Sequence, residues 1–283
     1  MRYSGWLFAI GVVACSLMIA CARDTAEAQR KLAEDQWKEL LADKSPAFLE
    51  TEHFLLFGTV TPKTLDDCGK TAEKALPIIR RTLRLDKPPS WKGKLVIFVL
   101  RERGEYGTFE RNLAKRNPDR EDRGGHFHLP QWSLVTVGPA ATSKSLAYDL
   151  EAVQHVAAAA ITKEYGDNLP EWLVSGYGRA IAYRTAPKAF TEERQQAARY
   201  LGGKSLRDLL SGNLTRDEGP VLNASFVDFL ANGTPQNPAL LQTILIAYGL
   251  QLQNPTLDQA FAAAKLAPDA LDAAWHSWAS KTK

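Results

Sequence analysis

Residues Asp149 to Tyr183 read DLEAVQHVAAAAITKEYGDNLPEWLVSGYGRAIAY. The spacing predicts two helices joined by a short turn. Leu146, Leu150, Val153, Ala157 and Ile161 form an apolar stripe at a 3.6-residue period. Gly166 follows at the C′ position, where a left-handed residue is wanted. Asn168 is expected to cap the second helix, with Pro170 in its first turn and Glu171 completing a capping-box-like spacing. A rotation of about 100° per residue puts Tyr148, Glu151, His155 and Thr162 on one face beside the stripe. A carboxylate and an imidazole therefore stand at i and i+4, and Ser175 follows on the second helix.

This layout resembles the gluzincin metallopeptidases, in particular the peptidase MA-like domains of secreted bacterial proteins. Their first helix carries His-Glu-x-x-His, and their second a Trp-Leu-x-Glu-Gly-x-Ala-like stretch with a third ligand. The second motif here is Trp172-Leu173-Val174-Ser175-Gly176-Tyr177-Gly178, after Gly166-Asp167-Asn168-Leu169-Pro170. Ala224 to Leu230 and Leu271 to Trp275 with Trp278 also resemble the helical half of such domains, so the likeness spans roughly residues 50–280. It implies an α+β, zincin-like fold: a small mixed sheet with helices in the N-terminal half, and a mostly helical C-terminal half.

The register of that family is kept while its chemistry is largely absent. The ligand positions fall on Glu151, His155 and Ser175, and the general-base position on Ala152. A catalytic zinc site needs three protein ligands and an open position, with a base to take the proton of the bound water. A glutamate can ligate zinc, a serine hydroxyl is a weak ligand, and alanine accepts no proton. The expectation is a pseudoenzyme with no catalytic residue, no cofactor, and a cleft that holds a peptide or protein. The alternative is a zinc peptidase with a non-standard ligand set drawn from His155, Glu151, His126 and His128. Without a metal, Glu151 and His155 read as a hydrogen-bonded helical pair, and Tyr148 and Tyr177 are expected to share the pocket. Ser175 as a nucleophile lacks the strand–helix elbow that exposes such a serine.

Outward from this centre, His126-Phe127-His128 and Trp132 to Val137 suggest two short strands. His126 and His128 alternate at period two and face one side of the pleat, as a cleft wall or as the polar face of an edge strand. Lys94 to Leu100 (KLVIFVL) reads as a central strand and Thr51 to Val60 as another. Helices are expected over 64–85 and 105–116, with a polar loop Asn117 to Gly125 between helix and strand. After Tyr183 only helices follow: Ala189 to Leu201, Ser205 to Leu210, Val221 to Ala231, Pro238 to Leu252, Thr256 to Leu266 and Pro268 to Ser280. All strands thus precede Asp149.

The N-terminus reads as targeting sequence. Arg2 precedes an apolar run from Trp6 to Ala20, shorter than a spanning helix. Cys21 follows Leu17-Met18-Ile19-Ala20 and Cys15 follows Val12-Val13-Ala14, and both resemble lipoprotein lipoboxes; plain cleavage after Ala22 and an uncleaved anchor are the other readings. The expected organisation is a signal over 1–22, a tether becoming a helix over 23–45 with Leu32, Trp37, Leu40 and Leu41 on one face, and a domain over 46–283. Localisation is expected in the cell envelope or outside it, with membrane contact only through a lipid anchor or the signal. Cys68 sits in a helical apolar stripe and reads as a buried small residue. At 283 residues the chain can bury a sizeable core. Its net charge of +3 comes from scattered basic residues without a basic stripe, which argues against nucleic acid as a partner.

Overall fold

The computed structural model describes residues 27–89, 91, 93–140, 146–233, 239–250 and 257–281. The proposed signal over 1–22, with Cys15 and Cys21, lies outside the described residues, as do 23–26. A helix over 27–40 (α1) leads into β1 (Ala47–Glu50), β2 (Phe54–Gly58), α2 (Pro62–Leu83), β3 (Leu95–Val99) and α3 (Arg103–Phe109). A π-turn (Glu110–Ala114), β4 (Gly124–His128) and β5 (Ser133–Val137) complete the strand-bearing half. The rest is helical: α4 (Tyr148–Tyr165), α5 (Glu171–Arg184), α6 (Pro187–Tyr200), α7 (Leu206–Leu210), α8 (Glu218–Asn232), α9 (Leu240–Leu250), α10 (Leu257–Ala263) and α11 (Pro268–Ser280). This is an α+β chain, and every described strand precedes α4.

The five strands form one mixed sheet in the order β1-β2-β3-β5-β4. The central pairs β2–β3 and β3–β5 are parallel, and the outer pairs β1–β2 and β4–β5 are antiparallel. Alternation along the strands feeds two cores. Phe54, Leu56, Leu95, Ile97, Val99, Val135 and Val137 face the larger one, under α2 and α4. Leu55, Phe57, Val96, Phe98 and Leu134 face the other, where Ala33, Trp37 and Leu41 of α1 and its C-terminal turn meet Tyr106, Phe109 and Trp132. Cys68 is fully buried in the larger core, and that burial pushes its thiol up to about 12.

Several elements differ from their sequence reading. The Thr51–Val60 strand is only Phe54–Gly58, preceded by the β1 hairpin arm, whose half-buried alternation left no continuous apolar run. On α1 the inward residue is Ala33, while Leu32 is 40% exposed. The 105–116 helix ends at Phe109 and widens into the π-turn, which carries Glu110 inward to accept from Thr136 Oγ1 at 2.7 Å. Asn168 does not cap α5; Pro170 is the N-cap, with extended backbone (φ -65°, ψ 145°) and no side-chain cap bond. Gly166 ends α4 at φ 95°, a conformation costly for any other residue.

Helix α5 is gripped between α4 and α8. A Cβ on Gly178 would stand 2.4 Å from the Gln154 carbonyl of α4, and one on Gly176 would stand 2.7 Å from the Asn223 carbonyl of α8. The glycines of the Ser-Gly-Tyr-Gly run therefore set how closely three helices approach, and so fix the walls of the cleft.

Candidate functional site

A cavity of about 730 Å³ opens between the strand-bearing half and the helical half. One wall is the stretch from Arg116 to Phe127, which ends in β4. The floor is the face of α4 bearing Glu151, Gln154, His155 and Ala158. The opposite wall comes from α5, the segment before α8 and the start of α8 itself. At the mouth, Arg216 reaches across to Glu121 at 2.5 Å.

Glu151 is 5% exposed and is held from two sides. Arg123 Nη1 donates to its Oε2 at 2.8 Å, and His155 Nε2 meets its Oε1 at 3.2 Å. Burial opposes the charge of Glu151, but the His155 hydrogen bond and the positive charges of Arg123 and Arg179 prevail, so its pKa lies below the ordinary glutamate value. With Glu151 ionised, Nε2 of His155 carries the proton it donates. In the neutral ring this leaves Nδ1 a bare acceptor, and it is buried without a partner among the described residues. Arg123 is fixed by the main chain as well. Nη1 also donates to the Leu146 carbonyl at 2.8 Å and Nε to the Pro139 carbonyl at 3.2 Å, while Nη2 is buried with no partner among the described residues.

Gly124 makes this packing possible. A Cβ there would lie 2.2 Å from Cδ2 and 2.3 Å from Nε2 of His155. The imidazole thus occupies the space a side chain on β4 would fill. Two residues along, His126 faces the same way, and its ring centroid is 6.2 Å from that of His128. Burial, with the neighbouring His155 and His128, pushes the His126 imidazole down to about 3. His128 crosses to α4: Nε2 is 3.0 Å from Thr162 Oγ1, and Nδ1 is 2.9 Å from Ser133 Oγ. Burial also lowers its pKa.

The sequence thus brought Glu151, His155 and Ser175 to one cavity, as the spacing implied. Ser175 is half-buried and gives its hydroxyl to the Glu171 carbonyl at 2.7 Å. Ala152 is not at the cavity. It lies 100° round α4 from Glu151 and is fully buried in the larger core. Nor do the two tyrosines share the pocket. Tyr177 is 1% exposed and its hydroxyl is 2.8 Å from Thr82 Oγ1 of α2, because two residues from Ser175 is about 200° round the helix. Tyr148 donates to the Leu100 carbonyl at the end of β3, 3.3 Å away.

These residues do not fit a zinc ion. Among the described residues, no three of His, Cys, Asp and Glu gather closely enough to hold a metal. Both nitrogens of His128 are engaged by hydroxyls, and both oxygens of Glu151 are taken, one by a guanidinium that would repel a divalent cation.

Arg123, Gly124 and Glu171 are site residues that the sequence reading passed over. Gly124 continues the period-two register of His126 and His128, which was a readable signal. Arg123 lay in a run of charges, NPDREDRGG, with nothing to mark it as the one that turns inward. No protein-family model, no curated protein and no solved structure matches the chain.

Proposed function

We propose that this is an exported protein with a degenerate zincin-like domain, whose cleft binds an extended peptide segment of another protein without cleaving it. The observation that carries the reading is the buried Arg123–Glu151 pair. A fixed organic cation is bonded to the first ligand position of the motif, with the second ligand position, His155, on the other oxygen of the same carboxylate. The general-base position in the core supports the same conclusion.

Peptide binding is favoured by the cleft wall. β4 ends the sheet and pairs only with β5 among the described strands, so its outer edge offers main-chain donors and acceptors along the cavity. An extended segment adds to such an edge as a further strand, with specificity set by alternate side chains. In this proposal the segment 1–22 directs export, and Cys21 carries the lipid that tethers the domain.

The test has two parts. Purified chain is assayed for zinc and for cleavage of unfolded casein, and in parallel exposed to an array of end-blocked random heptapeptides. The expected result is far less than one zinc per chain, no cleavage above a buffer control, and saturable peptide binding. Chelator-sensitive cleavage that disappears in His155→Ala would overturn the proposal in favour of a zinc peptidase.

A further inference from the structure

The two halves of α2 treat their charges differently. In the first half each lysine is bonded to a carboxylate one turn away, Lys63 to Asp67 at 2.7 Å and Lys70 to Asp66 at 2.6 Å. Glu73 is taken by Thr51 and His53. From Lys74 to Lys87 the chain then carries five Lys and Arg against one Asp. Lys74, Arg80, Arg81, Arg84 and Lys87 are all exposed, and none has an ion-pair partner among the described residues. Lys74, Arg80 and Arg81 fall within an arc of about 120° round the helix. Arg80 Nη2 donates to the Asp86 main-chain carbonyl at 2.7 Å, which ties the turn after α2 back to the helix. A helix C-terminus favours cations in its last turn, but that preference does not reach Lys74 or Lys87.

The same end of the molecule receives the N-terminal chain. α1 starts at residue 27, and Gln29 in its first turn is 2% exposed. Its Oε1 accepts from the Lys94 main-chain N–H at 2.7 Å, just before β3. Gly93 stands at φ 116°, and a Cβ there would lie 2.3 Å from that oxygen. The chain from Arg84 to Lys94 joins the end of α2 to the start of β3, so the unpaired cations and the start of α1 share one end of the sheet. Five residues, 22–26, separate Cys21 from α1, and five residues span at most about 18 Å when extended. An anchor at Cys21 therefore holds this end close to a bilayer. The cleft lies toward the other end. Gly124 in its wall is opposite Val137 at the C-terminal end of β5, which runs parallel to β3.

We propose that this end of the domain docks on the anionic lipid bilayer to which the N-terminal segment tethers it, with Lys74, Arg80, Arg81, Arg84 and Lys87 against the phosphate headgroups and the cleft turned away. The inference rests on the tether in the reading above and adds a contact made by the domain itself. The tether sets the distance, and the five cations set which face meets the bilayer. Each cation near an anionic surface strengthens the attraction about fivefold, and salt screens it.

The experiment places the full chain, with its own N-terminus, in vesicles of phosphatidylcholine alone or of an equal mixture with phosphatidylglycerol. Attachment is read by flotation, and lysine exposure by acetylation with a water-soluble ester and mass spectrometry. Lys87 is expected to react at least about fivefold more slowly in the mixed vesicles than in phosphatidylcholine, with the difference removed by high salt. Lys115, exposed next to Arg116 of the cleft wall, should react alike in both. The triple variant Arg80→Gln, Arg81→Gln, Arg84→Gln should lose the shielding of Lys87 while its thermal melt and Lys115 reactivity match the parent, and lysine at the same three positions should retain the shielding. Equal reactivity of Lys87 in both vesicles, in a chain that floats with both, overturns the docking and leaves the tether standing. Shielding that survives the glutamine variant overturns the assignment to these arginines. Flotation with the mixed vesicles alone, lost in the glutamine variant, overturns the tether and supports the cationic surface. No flotation with either vesicle overturns both. Shielding of Lys87 by a DNA duplex as strong as that by the mixed vesicles reassigns the surface to nucleic acid and overturns bilayer docking.

Discussion

At one end of the β4–α4 seam, His155 rests against Gly124 and shares Glu151 with a buried arginine. At the other end, His128 reaches over the same seam and divides its two nitrogens between Ser133 and Thr162. The strand supplies the alternation and the helix supplies the turn-by-turn match at both ends. Only the partners differ. His128 meets neutral hydroxyls that satisfy it completely, so it is a structural histidine. His155 meets a charge, and its second nitrogen has no partner among the described residues. A chain that once needed imidazoles at both places for metal would show the same spacing, so the seam teaches that spacing alone does not distinguish a ligand from a strut.

The largest effect is expected from breaking the charged end. Glu151→Ala leaves Arg123 buried beside an empty site, and removing one partner of a buried pair costs about 3–5 kcal/mol. Urea denaturation of the variant should show a loss of that order. The double variant Glu151→Leu with Arg123→Met should recover most of it, since an apolar replacement of both partners removes the unpaired charge. A double variant no more stable than Glu151→Ala would show that the pair matters for something other than its charge.

Acid provides a graded version of the same break. The folded pKa of Glu151 lies below its unfolded value, so its contribution is fully present above the unfolded glutamate pKa and is lost as pH falls through the folded one. Glu151→Gln should flatten the acid limb of the stability curve below about pH 4.3, the ordinary glutamate value. An unchanged acid limb would sink the assignment of that titration to Glu151.

Crowding the seam comes next in size. Gly124→Ala forces the His155 ring or the strand to move, and such overpacking costs about 1–3 kcal/mol. The shift should be accompanied by weakened peptide binding, because β4 is the proposed docking edge. Normal affinity in a destabilised Gly124→Ala chain would separate the seam from the binding surface.

The sequence showed the seam and the sheet unequally. β3 is five apolar residues in a row, LVIFV, all buried, a short β-branched run that matches a strand covered on both faces. Likewise α4 and α5 carry their periodicity openly, and so the convergence of Glu151, His155 and Ser175 was readable. The β1 arm was not, because a four-residue edge strand with every second residue half-exposed gives too short an alternation. Arg123 was unreadable for a different reason. Its role depends on which charge of a polar loop folds inward, and that is decided by carbonyls at Pro139 and Leu146, far along the chain. Glu171 was assigned to a capping spacing; its cleft role depends on the angle between α4 and α5, which Gly178 sets through close contact.

The smallest effect belongs to the neutral end. His128→Asn keeps an amide near the place of Nδ1, where it can still meet Ser133, and loses the reach to Thr162. Thr162 Oγ1 retains its bond to the Ala158 carbonyl at 2.9 Å, so no buried hydroxyl is left bare. One neutral hydrogen bond is removed, worth about 1 kcal/mol. Its pH signature is distinct from that of Glu151. The folded pKa of His128 is depressed by burial, with Lys163 adding to that and Asp167 opposing it. Its neutral form is therefore the one the fold favours, and the stability it brings is fully present above the unfolded histidine value of about 6.5 and declines as pH falls below it. In His128→Asn, stability measured from pH 7 down to pH 5 should fall less steeply than in the parent, while peptide affinity at pH 7 stays the same. A variant that loses affinity would place His128 in the binding surface and erase the difference between the two ends of the seam.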